Sequence, residues 1–354
     1  MNSRRAGLWS GSLAAGLAVL AASACQARPV GYEAAQAVAP GVWLIPGQVG
    51  PDRQPDGNTT VIEGPEGLIV IDTGRHADHR VKIEALIAST GRPLAAIVNT
   101  HWHFDHIIGN AGLTAAHPQA RVHASGALEG AIGSFLEPGA VQARAYLEAE
   151  KPPEPLAGSI RADLEALAAI EALRPDVVIT ESGLTTLGGR QLEVRLARHA
   201  ATEGDVWMFD AESDTAVVGD LVTLPAPFLD TACPEGWRTA LDQVAAAPFE
   251  RLVPGHGRVL DRAGFETYRT AFGALIDCAR TEQPAQACAG AWAEAVGPLL
   301  AEGEGGVRIA RGMTAGYVTR VLRSDEARGE VLLSGLISKA GVCGGPGSRF
   351  ACPG

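Results

Sequence analysis

The residues best equipped for chemistry lie in one short stretch, Thr100-His101-Trp102-His103-Phe104-Asp105-His106. Three imidazoles and one carboxylate fall within six positions. Neutral imidazole nitrogen and carboxylate oxygen bind Zn²⁺ at about 2.0–2.2 Å. The stretch follows an apolar run at 94–99 that reads as a buried strand. Side chains alternate along an extended chain, so His101 and His103 point the same way. Asp105 and His106, at the start of a following helix, then face a neighbouring point. One stretch can therefore serve two cation positions. Closed structural zinc sites usually use Cys, so a His/Asp set points to catalysis instead.

Two later motifs add donors. Val217-Val218-Gly219-Asp220-Leu221 places an acid after an apolar strand, and Leu252-Val253-Pro254-Gly255-His256-Gly257 places an imidazole between two glycines after another. Each is weak alone; their order and their placement at strand ends give them weight. His76, His79, His117 and His123 lack ligand spacing and read as surface or capping residues. Trp102 reads as packing beneath the cluster. No C-x-x-C pair, serine-centred elbow or Cys–His pair competes as the reactive centre.

These residues need a rigid frame, and the chain of 354 residues has the material for one. Hydrophobic residues make up 46% and charged residues 19%, enough to bury a core and too apolar for a disordered chain. Strand-like runs occur at 42–45, 59–63, 68–72, 94–99, 121–124, 177–180, 191–195, 206–209, 215–218 and 251–253. Helical spacing occurs at 81–89, 235–246 and 263–301. Between the two β-rich halves, 126–173 turns to Ala, Leu and Glu at helical spacing and reads as a helical insertion. Interleaved strands and helices of this kind give a layered α/β protein. The net charge of −11 argues against a nucleic-acid partner, whose binding needs clustered cations.

The first 24 residues read as a signal peptide. Arg4 and Arg5 precede an apolar run at 11–24, too short to span a bilayer, and Ala22-Ser23-Ala24 fits a cleavage site. Ser3-Arg4-Arg5 resembles a twin-arginine signal, with Gly7 where an aromatic residue is usual. Cys25 stands in a poor lipobox, so membrane contact is expected only if Cys25 is lipidated; 25–39 reads as a linker. A periplasmic or secreted location would permit disulfides. The local pairs Cys278 with Cys288 and Cys343 with Cys352 are expected, leaving Cys233 as a buried thiol.

Taken together, Ile71-Asp72-Thr73-Gly74, the His101–His106 cluster, Gly219-Asp220 and Pro254-Gly255-His256-Gly257, in this order, resemble the metallo-β-lactamase superfamily. The likeness covers roughly residues 40–260. It implies a four-layer αββα sandwich over 40–262, extended by helices at 263–354, with one or two Zn²⁺ at one sheet edge. Carried across by motif, His101 and His103 would hold the first metal. Asp105, His106 and His256 would hold the second, Asp220 would bridge, and Asp72 would orient a ligand or the loop. The chain departs from the family at one place. Where the family's first metal takes its third histidine, in an H-T-x-G-D-like segment, this chain has Ala201-Thr202-Glu203-Gly204-Asp205. His199 lies two residues earlier, about 6.5 Å further back on a strand. A bulge would bring His199 to the metal; without one it lines the pocket beside a weakened first position.

The resemblance implies a hydrolase in which a metal-activated hydroxide attacks a carbonyl of a small molecule (ester, thioester, lactone or amide), with Asp105 orienting it and relaying a proton. Dedicated β-lactamases of the family usually carry Cys or Ser where this chain has Asp220, yet export fits β-lactam hydrolysis. Related families hold iron with the same donors, which keeps a redox or accessory metalloprotein open. Segments 48–58, 126–173 and 224–237 are expected to frame the pocket, with Pro225-Ala226-Pro227-Phe228-Leu229 as an apolar wall and Phe135 and Leu136 in a lid.

Overall fold

The computed structural model describes residues 35–48, 53–301 and 303–323. Two sheets form the centre. The first holds, in spatial order, β1 (Gln36–Ala39), β2 (Val42–Ile45), β3 (Thr59–Gly64), β4 (Gly67–Ile71), β5 (Leu94–Val98), β6 (Arg121–Ser125) and β7 (Val177–Ile179). The second runs β13 (Leu260–Asp261), β12 (Arg251–His256), β11 (Thr215–Thr223), β10 (Gly204–Asp210), β9 (Arg190–Arg198) and β8 (Gly183–Leu187).

Strand alternation builds the layers. On one face of the first sheet Ile62, Ile69, Ile71 and Val98 meet Val194, Val206, Met208 and Val217 of the second sheet. On its other face Val61, Leu68, Val70 and Ile97 meet Ile83, Leu86 and Ile87 of α1 (Ala77–Thr90). The outer face of the second sheet packs Trp207, Phe209 and Val218 against α7 (Pro234–Ala246), α8 (Arg262–Ala279), α9 (Ala285–Val296) and α10 (Glu304–Tyr317). A period of two on each strand thus feeds two apolar layers at once, which is the αββα sandwich.

Between β5 and β6 lie α2 (Phe104–Ile107) and α3 (Gly109–Ala116), and between β6 and β7 the insertion forms α4 (Ala127–Ala131), α5 (Glu137–Ala149) and α6 (Glu154–Ala168). The insertion is anchored by a small apolar cluster in which Trp102 and Ile107 meet Leu128, Ala131, Phe135, Leu136 and Leu173. Phe135 is 7% exposed and its ring lies 5.4 Å from that of Trp102. Phe135 and Leu136 are therefore packing beneath the histidine loop, and the lid expected of them is not formed.

Other differences have local causes. Part of the expected linker, Gln36–Ala39, is β1, paired antiparallel with β2 (Gln36 opposite Leu44). β8 is an edge strand of Gly, Leu and Thr, largely exposed, so it carries no aliphatic run to betray it. His79 is 1% exposed and bonded to Thr59, not on the surface. Cys278 and Cys288 are joined, closing a short loop with sequence separation 10, which stabilises by roughly 2–3 kcal/mol. Cys233 is disulfide-bonded, correcting the free thiol expected there. The expected signal peptide, Cys25 and the Cys343 with Cys352 pair lie outside the described residues. Among the described residues no helix is long and apolar enough to cross a membrane.

Candidate metal centre

β4 runs parallel to β5, and β11 runs parallel to β12. The carboxyl ends of parallel neighbours share one edge of a sheet, where a crevice for small molecules forms. Asp72 follows β4, the histidine loop follows β5, Asp220 lies in β11 and His256 ends β12. The fold therefore delivers four segments, far apart in sequence, to one place. β11 shifts register beside Gly219, where a side chain would meet Thr100 at 2.5 Å. A side chain at Gly255 would lie 2.0 Å from Asp220 Oδ1, so this glycine lets β12 press against the acid.

The donors converge. His101 Nε2 lies 2.8 Å from His103 Nδ1 and 3.7 Å from Asp220 Oδ2. His106 Nε2 lies 3.3 Å from Asp220 Oδ1 and 3.8 Å from Asp105 Oδ2. His256 Nε2 lies 3.1 Å from Asp105 Oδ2 and 3.6 Å from Asp220 Oδ1. Two triads have the spacing to hold a metal ion, His101 with His106 and Asp220, and Asp105 with His106 and His256. His106 Nε2 and Asp220 Oδ1 are fully buried and face one another, yet neither has a hydrogen-bond partner. Each such orphan costs about 1–3 kcal/mol. A cation between them would satisfy both, so the residues fit the metal that the donor chemistry implies.

Outer contacts fix the rings. Asp72, in a left-handed backbone (φ 60°), accepts from Thr100 N–H at 2.8 Å and Thr100 Oγ1 at 2.7 Å, and meets His106 Nδ1 at 2.8 Å. That bond commits Nδ1 of His106 and turns Nε2 toward the cage. Thr100 Oγ1 lies 3.0 Å from His101 Nδ1, and Thr231 Oγ1 lies 3.1 Å from His103 Nε2 while donating to Ala201 O at 2.9 Å. The Phe228 ring stands 5.0 Å from that of His103, on the apolar segment expected to form a wall.

Electrostatics divide the set. Burial, then the charge of His106 and His103, hold His101 well below the ordinary imidazole value; burial takes His103 to about 4. Both keep free lone pairs at neutral pH. Burial alone would also lower His106, but Asp220, Asp72 and Asp105 outweigh it and raise the ring well above its usual value. Asp220 and Asp105 likewise raise His256. Burial would raise Asp105, yet His106, His256 and Arg75 hold it well below the carboxylate range.

His199 does not join the cluster, correcting the possibility that it replaces the missing third imidazole. β9 ends at Arg198, and His199 turns into a left-handed conformation (φ 53°) with its N–H on Glu203 O. Strand alternation stops there, so no shared face carries His199 to the metal side. Ala201 is buried. Sequence reasoning also missed Arg75, whose Nη2 lies 3.6 Å from Asp105 Oδ1, and Thr231 at His103. Arg75 follows directly on the Asp72-Thr73-Gly74 motif, which was the available signal.

Residues 53–256, more than half of the chain, match the metallo-beta-lactamase superfamily. A linear primary-alkylsulfatase of Pseudomonas sp. is 48% identical over 50 residues, 14% of this chain and 10% of that protein. The solved stereoselective inverting sec-alkylsulfatase from Pseudomonas sp. superposes with a TM-score of 0.54 at 18% identity, over 84% of this chain and 52% of its own. A metallo-beta-lactamase from Pontibacter korlensis gives 0.49 at 19% identity, over 68% and 98%. The chain thus spans a tenth of the curated relative and about half of the solved alkylsulfatase. With the family's motif order folded into a single cage, the chain belongs to the metallo-beta-lactamase superfamily.

Proposed function

We propose that the protein is a zinc hydrolase, with one or two ions per chain, that cleaves the sulfate ester of an apolar alcohol. The observation that carries the metal reading is the facing pair of buried orphans, His106 Nε2 and Asp220 Oδ1, among four further donors, His101, His103, Asp105 and His256. The sulfate-ester reading is supported by the two alkylsulfatase relatives and by the apolar wall at Phe228. A divalent cation bound there lowers the pKa of a water toward about 7 and neutralises charge that builds on a leaving oxygen.

The chain's own residues do the rest. His101 and His103, kept neutral by burial, offer lone pairs without first shedding protons. Asp105 stays ionised, with Oδ2 toward His106 and His256, and is placed to take up and pass on the proton released when water attacks. Phe228, against His103, excludes water on the apolar side and orients an alkyl group. An exported enzyme acting on a small molecule is supported by the arginine-led apolar segment at 1–24 and the net charge of −11.

The test is metal analysis of the full chain with a substrate panel: a medium-chain alkyl sulfate, a lactone, a thioester and a cephalosporin. Zinc at one to two per chain with chelator-sensitive sulfate release is expected. Turnover confined to a carbonyl substrate would return the reaction to the carbonyl class the motifs first implied. Bound iron with substrate-dependent oxygen uptake would overturn hydrolysis altogether.

A further inference from the structure

Next to the cage lies a second polar network that no metal ligand explains. Arg75 is 6% exposed. Its backbone N–H donates to Asp56 Oδ1 at 2.8 Å and its Nε to Pro55 O at 3.1 Å. Its Nη1 donates to Gln54 Oε1 and to Asp163 Oδ2, each at 2.5 Å, while Nη2 faces Asp105 Oδ1 at 3.6 Å. Asp163 belongs to α6 of the insertion. One turn earlier on the same helix face, Ser159 Oγ lies 2.9 Å from His76 Nε2, and His76 Nδ1 lies 3.0 Å from Asp56 Oδ2. The row Asp56, His76, Ser159 has the spacing of a charge relay. Ser159, however, is 5% exposed and its hydroxyl is shared between His76 and Gln54, so the row acts as a clamp and not as a nucleophile.

We propose that Arg75 is a positioning residue for Asp105, and that the insertion sets Arg75 through Asp163. The reading rests on the metal hydrolase proposed above. The guanidinium is planar, and its fork reaches partners on several sides at once, which a lysine ammonium does not. By drawing Oδ1 of Asp105 outward, Arg75 leaves Oδ2 to face His256 at 3.1 Å and His106 at 3.8 Å. Two neighbours in sequence, Arg75 and His76, are each gripped by α6, so the helix sets the register of the loop beside the metal. The insertion is then part of the catalytic apparatus and not a surface addition.

The experiment measures zinc affinity by chelator competition on the full-length apoprotein, with kcat, KM and the melting temperature beside it. Arg75→Lys is expected to weaken zinc binding by about 10–100-fold and to lower kcat with KM nearly unchanged, the size typical of lost outer contacts to a metal ligand. Asp163→Asn is expected to weaken zinc less. The double variant should be no worse than Arg75→Lys, because Asp163 acts only through Arg75. Wild-type zinc affinity in both single variants, or losses that simply add, would overturn the proposal. If Arg75→Lys fails to fold, Asp163→Asn alone decides: wild-type affinity overturns, and a loss with an unchanged melt supports. A wild type that binds no zinc would sink the metal reading itself, a separate outcome from variants that match a zinc-binding wild type.

Discussion

His106 and His256 sit among three carboxylates, Asp72, Asp105 and Asp220, whereas His101 and His103 are backed by the hydroxyls of Thr100 and Thr231. The first pair lies in a field that raises both imidazoles; the second is held neutral by burial. A field that draws protons also draws a divalent cation, and more strongly. Asp105, His106 and His256 form one complete triad, while beside His101 and His103 this chain has Ala201 where the resemblance to the family places a third imidazole. On the metal reading proposed above, one cage thus contains a strong and a weak half. On that same reading, the contrast teaches that the fold supplies the frame for one or two ions and the side chains decide how firmly each is held.

The largest effect should come from the residue that touches both halves. Asp220 lies 3.7 Å from His101, 3.3 Å from His106 and 3.6 Å from His256. Asp220→Asn removes the shared charge and should lower turnover by more than the about 100-fold that loss of an outer contact costs. Zinc content should drop below one per chain. A variant that keeps its zinc and stays within tenfold of the wild-type rate would break the idea that the halves share an acid.

A smaller, constructive change probes the weak half. Ala201→His returns an imidazole to the place the family uses. Ala201 is 1% exposed, so the larger ring should cost about 1–3 kcal/mol in overpacking, read as a lower melting temperature. Zinc titration should nevertheless show tighter binding of the second equivalent and an unchanged first. If the second equivalent is no tighter, the weakness of that half has a cause other than the missing ring.

Much of the strong half was legible because its signals are local. Candidate donors one to five residues apart after an apolar run, or beside a glycine at a strand end, can be read without a fold. The failures involve distance or backbone conformation. Arg75 and Asp163 are 88 residues apart, and His103 and Thr231 are 128 apart. No spacing rule joins such pairs; only the packing of α6 and of the segment before α7 does. The role of His199 stayed open in the sequence because a non-glycine residue at φ 53° leaves no mark there. Phe135 and Leu136 show why an apolar pair cannot announce whether it will cap a pocket or fill a core.

The smallest effect concerns Glu203, in the loop that should have carried the third imidazole. Both carboxylate oxygens and the nearby Trp102 Nε1 are buried with no hydrogen-bond partner. Burial pushes Glu203 up to about 8, so it is protonated at neutral pH. The folded state then keeps a proton that the unfolded chain gives up above about 4.5. This contribution to stability is fully present below pH 4.5 and is lost as pH climbs through 8. Glu203→Gln, neutral at every pH, should flatten the fall in urea midpoint between pH 5 and 8 and leave zinc content unchanged. Equal slopes would mean the carboxyl is solvated. Loss of zinc would instead make Glu203 the missing donor, and the weak half would be weak in sequence only.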